Sequence, residues 1–233
     1  NVITDNTSPS SAAGLTASGK GFVIIGNTIS NNASSGKVED LTVASVAAGG
    51  GLFVSGDGNK IEDNAVNGNS GMPMFVLGDN NLVAENKVVG NAGCVEVIGL
   101  TNVVVKNEIR DNHSAVRNIG LRVEGDNSSI ELNEVLDNTS GTGTAFLTVA
   151  GDNITIKENI IGGNRTTSPY SITAAGMNVY GTNVTIEENE IYDNVAEITT
   201  NGGSSIGGGL FVTGEGNTIV GNKIRGNEVT GSG

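Results

Sequence analysis

Short stretches in which apolar and polar residues alternate recur along the whole chain, each closed by Gly or Asn. Leu52/Val54, Val95/Val97, Leu121/Val123, Leu147/Val149 and Leu210/Val212 are examples. A period of two turns one face of a strand inward and the other outward. Downstream of each stretch comes a hexapeptide, Asn-x-(Ile/Val)-x-x-Asn. It occurs nine times, starting at Asn1, Asn27, Asn64, Asn86, Asn107, Asn133, Asn159, Asn189 and Asn222, always with a β-branched residue third. Before all but the first two lies a further Asn: Asn59, Asn81, Asn102, Asn127, Asn153, Asn183 and Asn217. Each unit reads strand, Gly-x-x-Asn corner, strand, Asn corner, strand, Asn corner, loop.

Three short strands per turn with polar corners is the plan of a parallel β-helix. The expectation is an all-β, single-domain solenoid over residues 1–233, of about eight coils. Asn suits the corners because it tolerates left-handed φ and its amide bonds to backbone freed by a bend. Stacked at about 4.8 Å, equivalent Asn side chains also bond to one another as a ladder. Hexapeptides are spaced 21 to 37 residues apart. The uneven length predicts a right-handed helix, with the larger insertions at 33–48, 165–175 and 195–208 leaving from one corner.

Composition supports this pattern. The chain has 36 Gly and 31 Asn, no Trp and 3% aromatic residues, which suits frequent turns and not helices. A net charge of −13 leaves nothing to neutralise a run of phosphates, so nucleic acid and anionic lipid are not expected partners. No apolar run approaches the roughly 20 residues of a membrane span. The chain starts at Asn1 without a basic-then-apolar leader, and an extracellular protein whose signal peptide has been removed is the expectation. Cys94, the one cysteine, aligns with Gly51, Gly120, Gly176 and Gly209 just before the first strand. There its sulfur is expected near the loop edge, within reach of an intermolecular disulfide, the alternative being a buried, inert thiol.

Catalysis is poorly supported. Acid/base hydrolysis needs paired carboxylates in a sugar-holding cleft. Here Glu62, Glu131, Glu187, Glu188, Asp111, Asp137 and Asp193 fall in rows because the units repeat, and solvation of a strand face explains them. The tyrosines are Tyr170, Tyr180 and Tyr192, and the five Phe are expected mostly in the core. His113 has no second His or Cys beside it, so no transition-metal site is expected. The acidic rows offer oxygen ligands to Ca²⁺ without the nonapeptide repeat of Ca²⁺-binding solenoids, and no cofactor is expected. Gly49–Gly51 and Gly207–Gly209 lack the Lys and Ser/Thr of a phosphate loop. Eight Asn-x-Ser/Thr sequons begin at Asn6, Asn32, Asn112, Asn127, Asn138, Asn153, Asn164 and Asn183. Many coincide with corners, so most are expected to stay unmodified.

No atypical capping unit is expected at either end of this sequence, unless short tails cover the edges. The last coil, from Gly208, closely matches an interior one from Gly50. Open ends are unpaired sheet edges that invite association. The expected interface pairs Asn1, Val2, Ile3 and Asn6 of one copy with Leu210, Val212, Asn217, Ile219, Asn222, Ile224 and Asn227 of the next. Such a heterologous contact closes into a ring or runs on as a filament.

With its Asn-x-Ile-x-x-Asn units and Gly-Gly-Gly-Leu-Phe-Val starts, nearly the whole chain resembles the right-handed parallel β-helix repeat of bacterial and archaeal surface proteins. The catalytic Asp/Arg/Lys clusters of the lyase members have no counterpart here. The uncapped ends, Asn-ladder coils, acidity and single Cys94 are also similar to the cell-sheath proteins of methanogenic archaea. That resemblance implies amyloid-like hoops stacked into a tube with reducible links. The first expectation is therefore an extracellular structural protein, not an enzyme, whose partner is itself. The alternatives are a polysaccharide-binding or polysaccharide-active β-helix, lyase- or epimerase-like, and an adhesin passenger fragment.

Overall fold

A computed structural model describes residues 1–8, 13–34, 50–114, 119–141, 145–168, 172–199 and 207–231. Every strand pairing in it is parallel, and among the described residues there is no helix. The strands fall into a nine-stranded, two eight-stranded, a five-stranded and a two-stranded sheet. One interior coil shows the plan. Gly120–Glu124, Ser129–Glu131, Glu134–Leu136 and Thr139–Ser140 follow in sequence, and each pairs with its counterpart in the next coil: Leu147–Ala150, Thr155–Lys157, Ile160–Gly162 and Arg165–Ser168. The chain is a parallel β-helix solenoid.

The alternation read from the sequence sets the inside. Ile61, Val83, Val104, Ile130, Ile156 and Ile186 form one buried column, and Ile29, Val66, Val88, Ile109, Val135, Ile161 and Ile191 another. Val54, Val76, Val97, Val123, Val149 and Val179 make a third. All belong to one contiguous core. β-Branched side chains pack well on such a pleated, half-buried surface. Phe146 joins this core, but the other four Phe do not. Phe53, Phe75 and Phe211 share the register of Glu96 and Arg122, on the outer side of the first strands, and Phe22 is exposed.

Two unbroken Asn ladders hold successive coils together. In one, Asn1, Asn27, Asn64, Asn86, Asn107, Asn133, Asn159 and Asn189 each donate from Nδ2 to the Oδ1 of the following Asn, ending at Asn222, over 2.8–3.0 Å. The other runs from Asn6 to Asn227 in the same way. Backbone N–H groups of the same residues donate to the same oxygens, as Asn107 does to Asn133 at 3.0 Å. Left-handed φ belongs to the residue just before the ladder Asn, correcting the sequence expectation. Asp63, Glu85, Lys106, Leu132, Glu158 and Glu188 have φ of 51–57°. The ladder Asn is selected for its amide.

Two further corrections follow. Asn127, Asn153 and Asn183 are not ladder members. They are themselves the φ-positive residues of the first corner, at 59°, 56° and 56°. The ladder position there passes to Ser128, Ile154 and Val184, and its Asn column is only Asn59, Asn81 and Asn102, with Asn217 in the last coil. Coils also carry a fourth strand where the sequence suggested loop. His113–Ser114, Thr139–Ser140, Arg165–Ser168, Val195–Ile198 and Glu228–Gly231 form the five-stranded sheet, and Thr7–Ser8 pairs with Ala33–Ser34. Its inward residues Ser114, Ser140, Thr166 and Ala196 are small and mostly polar, so no hydrophobic alternation marks its first strands, while Ile198 and Val229 form a small apolar cluster with Ala196 in the last two. The central stretches of the three insertions, 35–49, 169–171 (with Tyr170) and 200–206, lie outside the described residues.

A glycine column seals the first corner. A Cβ on Gly56, Gly78, Gly99 or Gly125 would lie 1.9–2.2 Å from the carbonyl oxygen of the equivalent Gly one coil earlier, and all four have φ of 122–134°.

Two substitutions test these constraints. Asn133→Ala removes the acceptor of Asn107 N–H and Nδ2 and the donor to Val104 O. With about 1–3 kcal/mol lost for each buried polar group left without a partner, urea denaturation is expected to show ~3 kcal/mol or more of destabilisation. Gly125→Ala is expected to cost ~2 kcal/mol or more in the same measurement, through backbone clash and strain.

Candidate functional site

Three surfaces present chemistry: the two end coils, the outer face of the first strands, and the first corner. The ends follow from the polarity of the ladders. Each coil donates to the next coil in sequence, so the terminal coils are left with opposite halves of the bond. At the C-terminal face, Asn222 and Asn227 use Nδ2 on Ile186 O, Val220 O, Ile191 O and Arg225 O. Their backbone N–H groups face no further Asn. At the N-terminal face, the Oδ1 atoms of Asn1 and Asn6 receive no donor among the described residues, while the amides of both residues donate inward to Asn27 and Asn32.

Stripped core side chains accompany these groups. Ile219 and Ile224 continue the buried columns of Ile186 and Ile191 but are 53% and 46% exposed. Leu210, Val212 and Asn217 are half-buried on the same coil. At the other end, Ile3 points inward and is half-buried, whereas Val2 lies on the outer row with Thr28 and is 74% exposed. The N-terminal face is stepped. The third sheet has nine strands and the first and second have eight, because Val2–Thr4 extends one strand beyond Leu15–Ser18 and Val23–Ile25. Among the residues expected at the interface, the structure therefore groups seven on the last coil and four on the projecting first one.

On the outer first-strand face, Arg122 pairs with Glu96 at 3.5 Å and with Glu124. A cavity of about 370 Å³ has Cys94, Arg122, Glu124, Thr148, Ala150 and Tyr180 among its lining residues. The aromatic pairs Phe53–Phe75, stacked with centroids 5.6 Å apart, and Tyr180–Phe211, at 5.8 Å, flank it along the sheet. This face holds its cation and carboxylates in mutual ion pairs. No group of three or more His, Cys, Asp or Glu among the described residues is placed to hold a metal ion.

Cys94 is in register with Gly120, as the alignment predicted, but it is only 5% exposed. Its sulfur sits 3.3 Å from the carbonyl oxygens of Val95 and Gly120. The thiol is thus free and buried, as in the inert alternative. Burial pushes its pKa well up, reinforced by Glu96 and opposed by Arg122.

The first corner holds residues that the sequence reading passed over. Asp57 Oδ1 accepts the N–H of Asp79, Asp79 that of Leu100, Asp126 that of Asp152, and Asp152 that of Thr182, at 2.8–3.0 Å. The Gly-Asp pairs at 56–57, 78–79, 125–126 and 151–152 were the available signal. Lys20 pairs with Asp57 at 2.7 Å, and this bond together with the Asp79 N–H holds the Asp57 carboxyl below its usual pKa.

The Cys94 environment predicts a pH dependence. In the folded chain the neutral thiol is favoured, so the native state keeps a proton that the unfolded chain loses above about pH 8.5. Stability is expected to be unaffected below that pH and to fall above it. The fall, measured as unfolding free energy against pH, is expected to be smaller in Cys94→Ala. Native Cys94 is also expected to resist thiol reagents until the protein is unfolded.

No curated protein and no solved structure matches the chain. A family model described as a right-handed β-helix region matches residues 32–183, the stretch that contains the interior members of both Asn ladders and the glycine column from Gly56 to Gly125. With the stacked parallel sheets already in view, the chain belongs to the right-handed β-helix family.

Proposed function

We propose that this protein is an extracellular structural element that associates end to end, in one direction, with further copies of itself. The observation that carries this reading is the ladder polarity. The C-terminal coil offers N–H donors at Asn222 and Asn227, and the N-terminal coil offers acceptors at Asn1 Oδ1 and Asn6 Oδ1. Head-to-tail stacking joins donor to acceptor and covers Ile224 with Ile3. Head-to-head stacking sets like groups against each other. The step at the N-terminal face means that contact is made through the third strands, with the first and second sheets left one strand short at the joint. Acidity supports solubility outside the cell, and the self-paired charges of the first-strand face favour a role without catalysis.

Electron microscopy and sedimentation velocity of the native protein test this. Rings, tubes or filaments are expected, growing with concentration, and Ile224→Lys is expected to disperse them into single rods without loss of fold. Single rods at every concentration in the unaltered protein overturn the proposal. Assembly that survives Ile224→Lys refers it to another surface, and extra coils in a longer native chain, covering both ends, replace self-association by intramolecular continuation.

A second reading rests on one observation, the half-exposed Phe53 and exposed Tyr180 at either side of the Arg122 cavity. Aromatic faces of this kind suit sugar rings. Binding of a polysaccharide to dispersed rods, lost in Tyr180→Ala, favours it over assembly.

A further inference from the structure

Five of the eight sequons belong to the continuous ladders. Asn32, Asn112, Asn138 and Asn164 are at most 1% exposed. Each spends Nδ2 on the next Asn and on a backbone carbonyl, as Asn138 does on Asn164 Oδ1 and Ile109 O. Asn6 is exposed, but its amide too donates to Asn32. The remaining three, Asn127, Asn153 and Asn183, behave differently. All are exposed, all have φ near +57°, and all stand at the same position of the first corner in three successive coils. The one hydrogen bond among their side chains joins Asn183 Nδ2 to Asn153 Oδ1, at 3.3 Å. Their +2 residues, Ser129, Thr155 and Thr185, are paired in register and half-buried on the outer row of the second sheet. Ile154 and Val184, the middle residues of two of the sequons, are buried and anchor the corner.

We infer that Asn127, Asn153 and Asn183 form a column of N-glycan acceptors on the side of the rod. The co-reactant is an oligosaccharide carried on a lipid pyrophosphate. A bond forms between Asn Nδ2 and the anomeric carbon of the first sugar, and the bond from that carbon to the phosphate oxygen breaks. The lipid pyrophosphate leaves with the electron pair, and one Nδ2 proton passes to a base of the transferase. The product keeps one N–H on the side-chain amide, which the φ-positive corner leaves in solvent. The same transfer at Asn32, Asn112, Asn138 or Asn164 would set a sugar inside a closed ladder, where there is no room for it. Selection is therefore made by the fold, and transfer follows coil formation. Neighbouring acceptors stand only about 4.8 Å apart, so sugars on adjacent coils compete, and no more than two of the three are occupied in one molecule. The column lies on a lateral corner, and Asn183 stands one coil from the C-terminal face.

The test is glycopeptide mass spectrometry, with fragmentation that retains the sugar, on protein isolated from its own cells. Oligosaccharide on one or two of Asn127, Asn153 and Asn183, with Asn32, Asn112, Asn138 and Asn164 bare, is the expected result. The variant Ser129→Ala/Thr155→Val/Thr185→Val removes all three sequons while keeping the corner Asn residues. It is expected to lose that added mass and retain the β circular dichroism of the parent. Three bare corner sites in the native protein overturn the inference, as does equal occupancy of the ladder sequons.

Discussion

A carboxamide donating to the carboxamide of the next coil is the interaction on which this molecule depends. Each ladder Asn accepts from the coil before through Oδ1 and donates to the coil after through Nδ2, so every interior rung is satisfied on both sides. Asn133, for example, accepts from Asn107 and donates to Asn159 and to Val104 O. Buried polar groups are costly unless all their partners are present. The ladder meets that condition only when the coils are in register. A slip by one residue would break both columns and turn the valine and isoleucine columns to solvent. The same bond therefore specifies the corner, the register and the direction of the rod.

Stacking at this spacing also explains the residues that are not Asn. The glycine column exists because successive chains pass so close that a Cβ would meet the carbonyl below. The φ-positive position before each second-corner Asn has no such contact, so Asp, Glu, Lys and even Leu132 occupy it. Sequence variety gathers at positions where the next coil does not press. Charged residues at those positions form ion pairs, as Glu85 and Lys106 do with each other at 3.3 Å and Glu158 does with the strand residue Lys157 at 3.5 Å. Exposed pairs of this kind contribute little to stability, and the rod is held by its interior columns and ladders.

With the interior filled, chemistry is confined to the outer rows, the corners and the two ends. The outer rows neutralise much of their own charge, as around Arg122. The corners bend the chain and, at the first one, expose amides. The last described coil leaves the core side chains Ile219 and Ile224 about half exposed. In this fold every interior coil is both donor and acceptor along the ladders, as Asn133 is between Asn107 and Asn159.

The repeat made most of this legible without coordinates. Nine hexapeptides with a β-branched third residue and alternating strands upstream determine a parallel solenoid, its buried columns and the two continuous ladders, because a period of two and a recurring corner are local properties of the chain. What only the tertiary structure decided were relations between coils. Spacing counted Asn127, Asn153 and Asn183 as ladder members, but one residue of offset makes them φ-positive and exposed, and places Ser128, Ile154 and Val184 in the column. The fourth sheet is hidden in the sequence because its inward column starts with Ser114, Ser140, Thr166 and Ala196, whose burial follows from neighbours and not from hydrophobicity; Ile198 and Val229 add apolar bulk in its last two strands. The repeat pattern puts most Phe in the core, yet Phe53 and Phe211 are half-buried in the outward strand phase, and Phe75, in that same phase, is buried at 3% exposure. Cys94 was placed correctly in register, but its burial depended on the chain packed above it, which no local pattern encodes.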